Sequence, residues 1–335
     1  MDYLVGIDLG STSLKAVVYD KAGRAVASGS RPTQRFNPWP DHPEWTVWQP
    51  EQIWSGTAAA VKEAVAKLDD ASNIRGVAVT GMGMDGVPID ADGKWLYPFI
   101  SWLDPRTAGQ HKWWLEHVGA DKTFSIGGNP VWAINSALRI RWMMENEPQI
   151  IARTDKWLLI EDFLNFMLTG RRATDYSMAS CMMLFDQKSR NWSDELLGLA
   201  GIDRRLMPEA LPATTRLGAV TPAAAAATHL PEGTPVILGG HDHLCGALPV
   251  GASRPGVVLD VTGTWEIVSA AGAEPVLEPP LRQMGLTVQA HVARNTWAAW
   301  ASTPAGECIE WFRKQYGAED ARRAAAEGKS DWEYI

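Results

Sequence analysis

A chain of 335 residues, 46% hydrophobic and 21% charged, has the make-up of an ordinary soluble globular protein and exceeds one comfortable core, so two domains are expected. Its net charge of −8 argues against nucleic acid or an anionic membrane as partner, and no stretch reaches membrane-spanning length. Three scattered cysteines, Cys181, Cys245 and Cys308, make no disulfide framework, and no signal-peptide pattern precedes the first strand, so a cytoplasmic, reducing setting is expected.

The chain opens on YLVGIDLGSTSLKAVVYD, residues 3–20. Tyr3 to Leu9 is an apolar, β-branched run, Gly10-Ser11-Thr12-Ser13 a turn, and Leu14 to Tyr19 a second run. Asp20 to Gly23 turns into a third, Arg24 to Ser28. Small residues in the first turn let backbone N–H groups face outward as a nest for anionic oxygens, with hydroxyls to help. Asp8 sits at its mouth; a carboxylate beside a phosphate site repels it unless a cation lies between, which points to Mg²⁺, held through water. An ordinary surface hairpin with a hydrogen-bonded Asp is the alternative.

Beyond a Pro- and Trp-rich connection (32–50), Trp54, Ala58, Val61, Val65 and Leu68 recur at helical spacing and predict a helix from about Glu51 to Leu68. Strands are expected at Arg75 to Thr80 and Tyr97 to Trp102, on either side of a Gly-rich turn and an Asp-Gly turn. Thr107 to Gln187 reads as mostly helical, with a helix capped by Asn135 or Ser136 and another ending at Gly170. Short helices are expected after Ser193 and at Thr221-Pro222. Strands follow at Pro235 to Leu238, Val257 to Val261 and Arg294 to Trp300, then helices at Pro304 to Tyr316 and Ala318 to Glu327. The glycine-punctuated strand series that starts near Gly233 suggests two domains, 1–232 and 233–335.

Gly81-x-Gly83-x-x-Gly86 matches the dinucleotide fingerprint in form, but Val-Pro-Ile-Asp and a turn follow it where a helix is required, which rejects that reading. His241-Asp242-His243 with Cys245 has two readings. On a strand, His241 and His243 would share one face and an ion while Asp242 points elsewhere, although no remote Cys or His pair completes a ligand set. Alternatively Asp242, on a Gly-Gly loop at a strand end, is a carboxylate open to a cleft and able to take a proton from an alcohol. Thr262-Gly263-Thr264 repeats the character of the first nest. Trp102, Asp104 and Arg106 offer an aromatic face, a carboxylate and a guanidinium suited to a polyol, with Asp85 as a second group for sugar hydroxyls. A surface ion pair is the alternative for Asp104 and Arg106. Trp39, Trp45, Trp48, Trp113 and Trp114 are read as packing.

Together GIDLGSTSLKAVVYD, GHDHLCGAL and LDVTGTWEIV resemble, in order and spacing, the first phosphate motif, the catalytic segment and the second phosphate motif of the FGGY carbohydrate kinases. RGVAVTGMGMDG and DADGKWLYPFISWLDPRT look most like the L-fuculokinase branch; xylulokinase-like members carry Gln-Met-His-Gly where this chain has Gly83-Met84-Asp85-Gly86. The resemblance implies an α/β, ribonuclease H-like (actin-like ATPase) fold of two domains with ATP and sugar in the cleft between them. By the same resemblance Asp242 is the general base, Asp8 lies on the Mg²⁺ side, and Gly10, Ser11 and Thr12 meet the terminal phosphates. Gly263 and Thr264 approach from the second domain, and Asp85, Trp102, Asp104 and Arg106 fall at or near the sugar. The expected substrate is L-fuculose or a related ketose, with xylulose, another pentulose or a polyol as alternative, and ATP and Mg²⁺ as cofactors; a homodimer is the assembly considered. Family members continue past Ile335 with a glycine-rich segment that closes on the adenosine. The second domain is therefore expected to be incomplete, with exposed apolar faces, and a non-catalytic sugar-binding remnant is the rival reading; a metal hydrolase using His241 and His243 ranks last.

Overall fold

Alternating burial sets the first three strands. In β1 (Tyr3–Leu9) Val5, Ile7 and Leu9 are buried while Leu4 and Asp8 face outward. In β2 (Ser13–Asp20) Leu14, Ala16 and Val18 continue the same buried layer, and β3 (Ala25–Pro32) adds Ala27 and Gly29. Helix α1 (Pro50–Val65) starts with proline at its first position and lays Ile53, Thr57, Ala60, Val61 and Ala64 on this layer. The approach is close: a Cβ on Gly29 would stand 2.2 Å from the Ala60 carbonyl oxygen. The chain is seen here in a computed structural model that describes residues 1–262 and 265–334.

The main sheet is completed by β4 (Ile74–Gly81), β5 (Arg216–Ala219) and β6 (Pro235–His241), in the order β5-β6-β4-β1-β2-β3. β1, β2 and β3 are antiparallel, whereas β4 and β6 run parallel to β1. Three antiparallel strands followed by two parallel ones on the other side of β1 is the ribonuclease H-like arrangement expected. β6 therefore belongs to this first sheet: the strand taken to open a second domain near Gly233 is hydrogen bonded to β4. Along β6 Val236 and Leu238 are buried while Pro235 and Ile237 beside them are only partly so.

A second, antiparallel sheet begins only at β7 (Val258–Thr262), followed by β8 (Trp265–Gly272), β9 (Thr287–Ala290) and β10 (Trp297–Pro304), ordered β7-β8-β10-β9. β9 was not apparent in the sequence. All four of its residues are buried, because it docks the second sheet onto the helical region of the first unit. Val288 N–H donates to Gly128 O at 2.7 Å, Ala290 N–H to Ser180 Oγ at 3.2 Å, and Trp297 Nε1 to Gln187 O at 3.0 Å. The region 107–187 is mostly helical as expected, but Lys156–Leu159 is a strand paired with Gly86–Ile89. On the helix Gly306–Tyr316, Trp311, Phe312 and Tyr316 stand in solvent. No helix among the described residues is long and apolar enough to cross a membrane.

Gly29→Ala is expected to destabilise the chain by about 1–3 kcal/mol, the usual cost of overpacking a tight contact. Urea unfolding reads it; an unchanged midpoint would show that α1 can lift from β3 freely.

Candidate active site

Three parallel strands end at one level. Asp8 on β1 lies opposite Thr80 on β4, and Thr80 lies opposite Gly240 on β6, with the Thr80 hydroxyl donating to Gly240 O at 2.6 Å. Open parallel sheets hold ligands beyond such carboxyl ends. The β6 register slips at Gly239, where a Cβ would fall 1.9 Å from the Val79 carbonyl oxygen, so no larger residue fits. Gly240 follows at φ 152, and a Cβ there would press on Val292 and Ser177. The strand then stops, and helix α2 (Asp242–Ala247) begins.

That change from strand to helix corrects the expectation that His241 and His243 share a face without Asp242. Asp242 Oδ1 lies 3.7 Å from His241 Nε2 and 3.7 Å from His243 Nδ1, and accepts the His243 backbone N–H at 2.6 Å. Cys245 is turned away, toward Thr80. The Asp242 side chain keeps 41% of its surface open to solvent. Burial pushes its carboxyl upward, but the hydrogen bonds from His243 and the two imidazoles outweigh burial and hold it below the usual range. Asp8 moves the other way: its protein surroundings and then the negative charge of Asp242 raise it, against Lys15. The two carboxylates therefore sense each other across the ends of β1 and β6.

In the first turn Gly10 N–H donates to Ser13 O at 3.1 Å, and the Thr33 hydroxyl braces Gly10 O at 3.1 Å. The Ser11 and Thr12 hydroxyls make no hydrogen bond among the described residues. Gly263 and Thr264 lie outside the described residues.

The Gly81–Gly86 turn reaches the same place: a Cβ on Gly83 would meet His241 Nε2 and Cys181 Sγ, each at 2.9 Å. Met84 is held at φ 78, with its carbonyl accepting from Ser136 Oγ and, at 2.8 Å, from Arg139. The Asp85 carboxylate is fully enclosed, taking Arg139 at 2.8 Å and Trp48 Nε1 at 2.7 Å. Trp102 itself is half-buried. Asp104 and Arg106 form the ion pair that was the alternative for them, bidentate at 2.8 and 2.7 Å, with both side chains 0% exposed. The guanidinium lies over Trp45, Trp39 and Trp142, at 4.1, 4.6 and 5.0 Å from the ring centroids. The charged groups of Asp85, Asp104 and Arg106 are thus buried and satisfied by partners within the protein.

Trp300, Trp132, Gln289 and Ser177 were not singled out from the sequence. His243 packs its ring 5.1 Å from Trp300 of β10, which in turn edges Trp132 at 5.8 Å, so an aromatic wall crosses from one unit to the other beside Asp242. Gln289 of β9 donates to His241 Nδ1 at 3.2 Å. Ser177, fixed by Asp175, accepts the His241 backbone N–H at 2.9 Å. Each of these contacts joins residues far apart in the chain.

The N-terminal domain of the FGGY family of carbohydrate kinases matches residues 3–249. This chain belongs to the FGGY family. It is 31% identical to L-fuculokinase of Escherichia coli strain K12 over 94% of this chain and 66% of that protein, and 29% identical to xylulose kinase of Klebsiella pneumoniae over 93% and 63%. The solved xylulose kinase from Rhodospirillum rubrum superposes with a TM-score of 0.87 at 30% identity, covering 96% of this chain and 65% of that one. The chain thus spans somewhat less than two thirds of the length of these relatives. Its α/β, ribonuclease H-like (actin-like ATPase) architecture is that of the FGGY sugar kinases.

Two features of this FGGY chain lend themselves to measurement. Arg139→Met strands the enclosed Asp85 carboxylate and is expected to cost about 3–5 kcal/mol, with Asp85→Asn in the same chain recovering part of it. A double-mutant cycle by urea unfolding checks this; additive costs would mean the pair is not coupled. Burial depresses His291 to about 4, below the 6.5 of the unfolded chain. The unfolded chain therefore takes up the proton first, and the stability His291 confers is full above pH 6.5 and lost as pH falls toward 4. Relative to wild type, His291→Gln should gain stability over that window; a pH-independent difference would contradict it.

Proposed function

We propose that the chain is an ATP- and Mg²⁺-dependent sugar kinase. The observation that carries this is the pair of carboxylates, Asp8 and Asp242, facing each other across the ends of parallel strands β1 and β6. Like charges so placed favour a cation between them, and only through that cation admit a polyanion. Asp242, ionised and partly open to solvent, takes the proton from the sugar hydroxyl. Asp8 holds Mg²⁺ through water, and the donor set suits it, since hard oxygen ligands are what that ion takes. Magnesium, when bound, neutralises charge on the polyphosphate. Gly10, Ser11 and Thr12 face the terminal phosphates with hydroxyls free of other partners among the described residues, and Gly263 and Thr264 meet them from the second sheet by family resemblance.

The sugar lies against Trp102 and the Trp132–Trp300 wall, whose apolar faces suit C–H groups. Behind it, Asp85 holds Trp48 and Arg139, and the Asp104–Arg106 pair supports Trp39, Trp45 and Trp142. We assign sugar and first phosphate motif to the unit built on the six-stranded sheet, and the second phosphate motif to the four-stranded one. L-fuculose or a related ketose is the preferred substrate, on the likeness to L-fuculokinase; the likeness to xylulose kinases makes xylulose the second choice. A reducing cytosol fits three free cysteines.

Asp242→Asn should keep the fold and lose about 10²–10⁴-fold in turnover. A coupled ADP-release assay with a ketose and polyol panel reads it, and an undiminished rate would remove Asp242 as base. Asp8→Asn should raise the Mg²⁺ concentration needed for half-maximal rate, whereas an unaltered requirement would place the ion elsewhere.

A further inference from the structure

The donor atoms of His241, Asp242 and His243 all lie within 4.8 Å of one another, around Asp242 Oδ1. They arise from one break in backbone conformation, the end of β6 and the start of α2. A four-coordinate ion with bonds of about 2.0–2.1 Å places its donors roughly 3.3 Å apart, so the two 3.7 Å spans to Asp242 need to close by a few tenths of an ångström and the span between the imidazoles, within 4.8 Å, must close to the same distance.

The His241 ring is nine-tenths buried, and its Nε2 makes no hydrogen bond among the described residues while facing the Asp242 carboxylate. Its other nitrogen is held by Gln289, whose Oε1 is buried without a partner as it stands. Turning the Gln289 amide over lets that Oε1 accept a hydrogen from Nδ1, and leaves the Nε2 lone pair directed at Asp242. This is the outer-shell contact that orients a metal-bound imidazole.

We propose that His241, Asp242 and His243 form a chelate for a borderline-soft divalent cation of the Zn²⁺ or Co²⁺ type, distinct from the hard-cation position at Asp8, and that its occupancy withdraws the Asp242 carboxylate from substrate. Imidazole suits such ions and not Mg²⁺, so the two sites separate cations by donor chemistry. The blocking effect rests on the kinase reading; the chelate does not. Nitrogen donation from both rings and one carboxylate oxygen leaves an open position that water fills, the pattern of a three-ligand site.

The test is a Co²⁺ titration of the full chain in excess Mg²⁺, followed by the intense visible bands of four- or five-coordinate cobalt. One equivalent should bind. His243→Gln should weaken it by roughly tenfold or more, at least what loss of an outer-shell partner costs. Cys308→Ser, which alters an exposed thiol far from the cluster in sequence, should leave it unchanged. Far-ultraviolet circular dichroism and the unfolding midpoint establish that His243→Gln is folded; if it is not, protection of the wild-type carboxylate and imidazoles read by Zn²⁺-dependent histidine NMR shifts replaces it, and unshifted His241 and His243 resonances overturn the chelate. A flat titration, an octahedral cobalt spectrum, or equal binding by folded His243→Gln also overturns it. None of those results bears on phosphoryl transfer, whereas a chain that binds one Co²⁺ but releases no ADP in Mg²⁺ alone sinks the kinase reading and leaves the chelate standing.

Discussion

Asp8 and Asp242 are brought together by strands that the chain makes more than two hundred residues apart, and each arrives by a backbone constraint. β1 places Asp8 on its outward face because Ile7 and Leu9 must point inward. β6 places Asp242 just past its end because Gly239 alone can lie against the Val79 carbonyl. The Thr80 hydroxyl ties the two strand ends through the strand between them. Among the described residues neither carboxylate makes an ion pair with an arginine or lysine; burial first, and then the charge of Asp242, raise the Asp8 carboxyl against Lys15 opposite it. Repulsion kept at an open edge is a cost that packing elsewhere must offset, and the large cores under α1 and around the helices of residues 108–201 are where the chain has apolar burial to do so.

Local rules carried much of the architecture. The β1–β2–β3 meander was legible because alternation and two turn clusters agree, and α1 because its apolar spacing follows a proline. Gly170 at φ 74 and Ser193 capping Leu196 appeared as their residue types dictate. The dinucleotide fingerprint was rightly discounted, since Gly86–Ile89 is a strand and not a helix. What local rules could not give was partnership. β6 looked like the start of a new domain because its sequence neighbours do, while its hydrogen bonds go to β4, some 160 residues earlier. β9 gave no pattern at all, being buried on both faces by two different units.

The same limit governed the site. Asp8, the first turn and Asp242 were visible from glycine and hydroxyl patterns at strand ends. Asp85, Asp104 and Arg106 carry the right chemistry for a polyol, yet composition cannot say whether a charge faces a ligand or a protein partner. Here Arg139, Trp48 and three tryptophans supply those partners, and full enclosure makes the ion pairs scaffolding. The abundance of tryptophan has its reason in part there, since indole faces can cover a buried guanidinium that would otherwise lie uncompensated. His243 was named only as a metal ligand, and Trp300 and Trp132 gave no signal, because their meaning here is contact between residues far apart in the chain.

The His241-Asp242-His243 triplet shows how one backbone event can set two opposed properties. Were β6 to continue, the two imidazoles would lie on one face and the carboxylate on the other, and Asp242 would answer only to its own side. Because a helix begins at Asp242, the carboxylate turns back between the rings. That position keeps it ionised, as a base near a hydroxyl must be, by surrounding it with nitrogen donors. The same nitrogens are what a borderline cation selects. A residue that replaced either imidazole with an amide would therefore lose part of the support for the charge while removing the chelate, so tuning of the base and exposure to such ions are two consequences of a single arrangement.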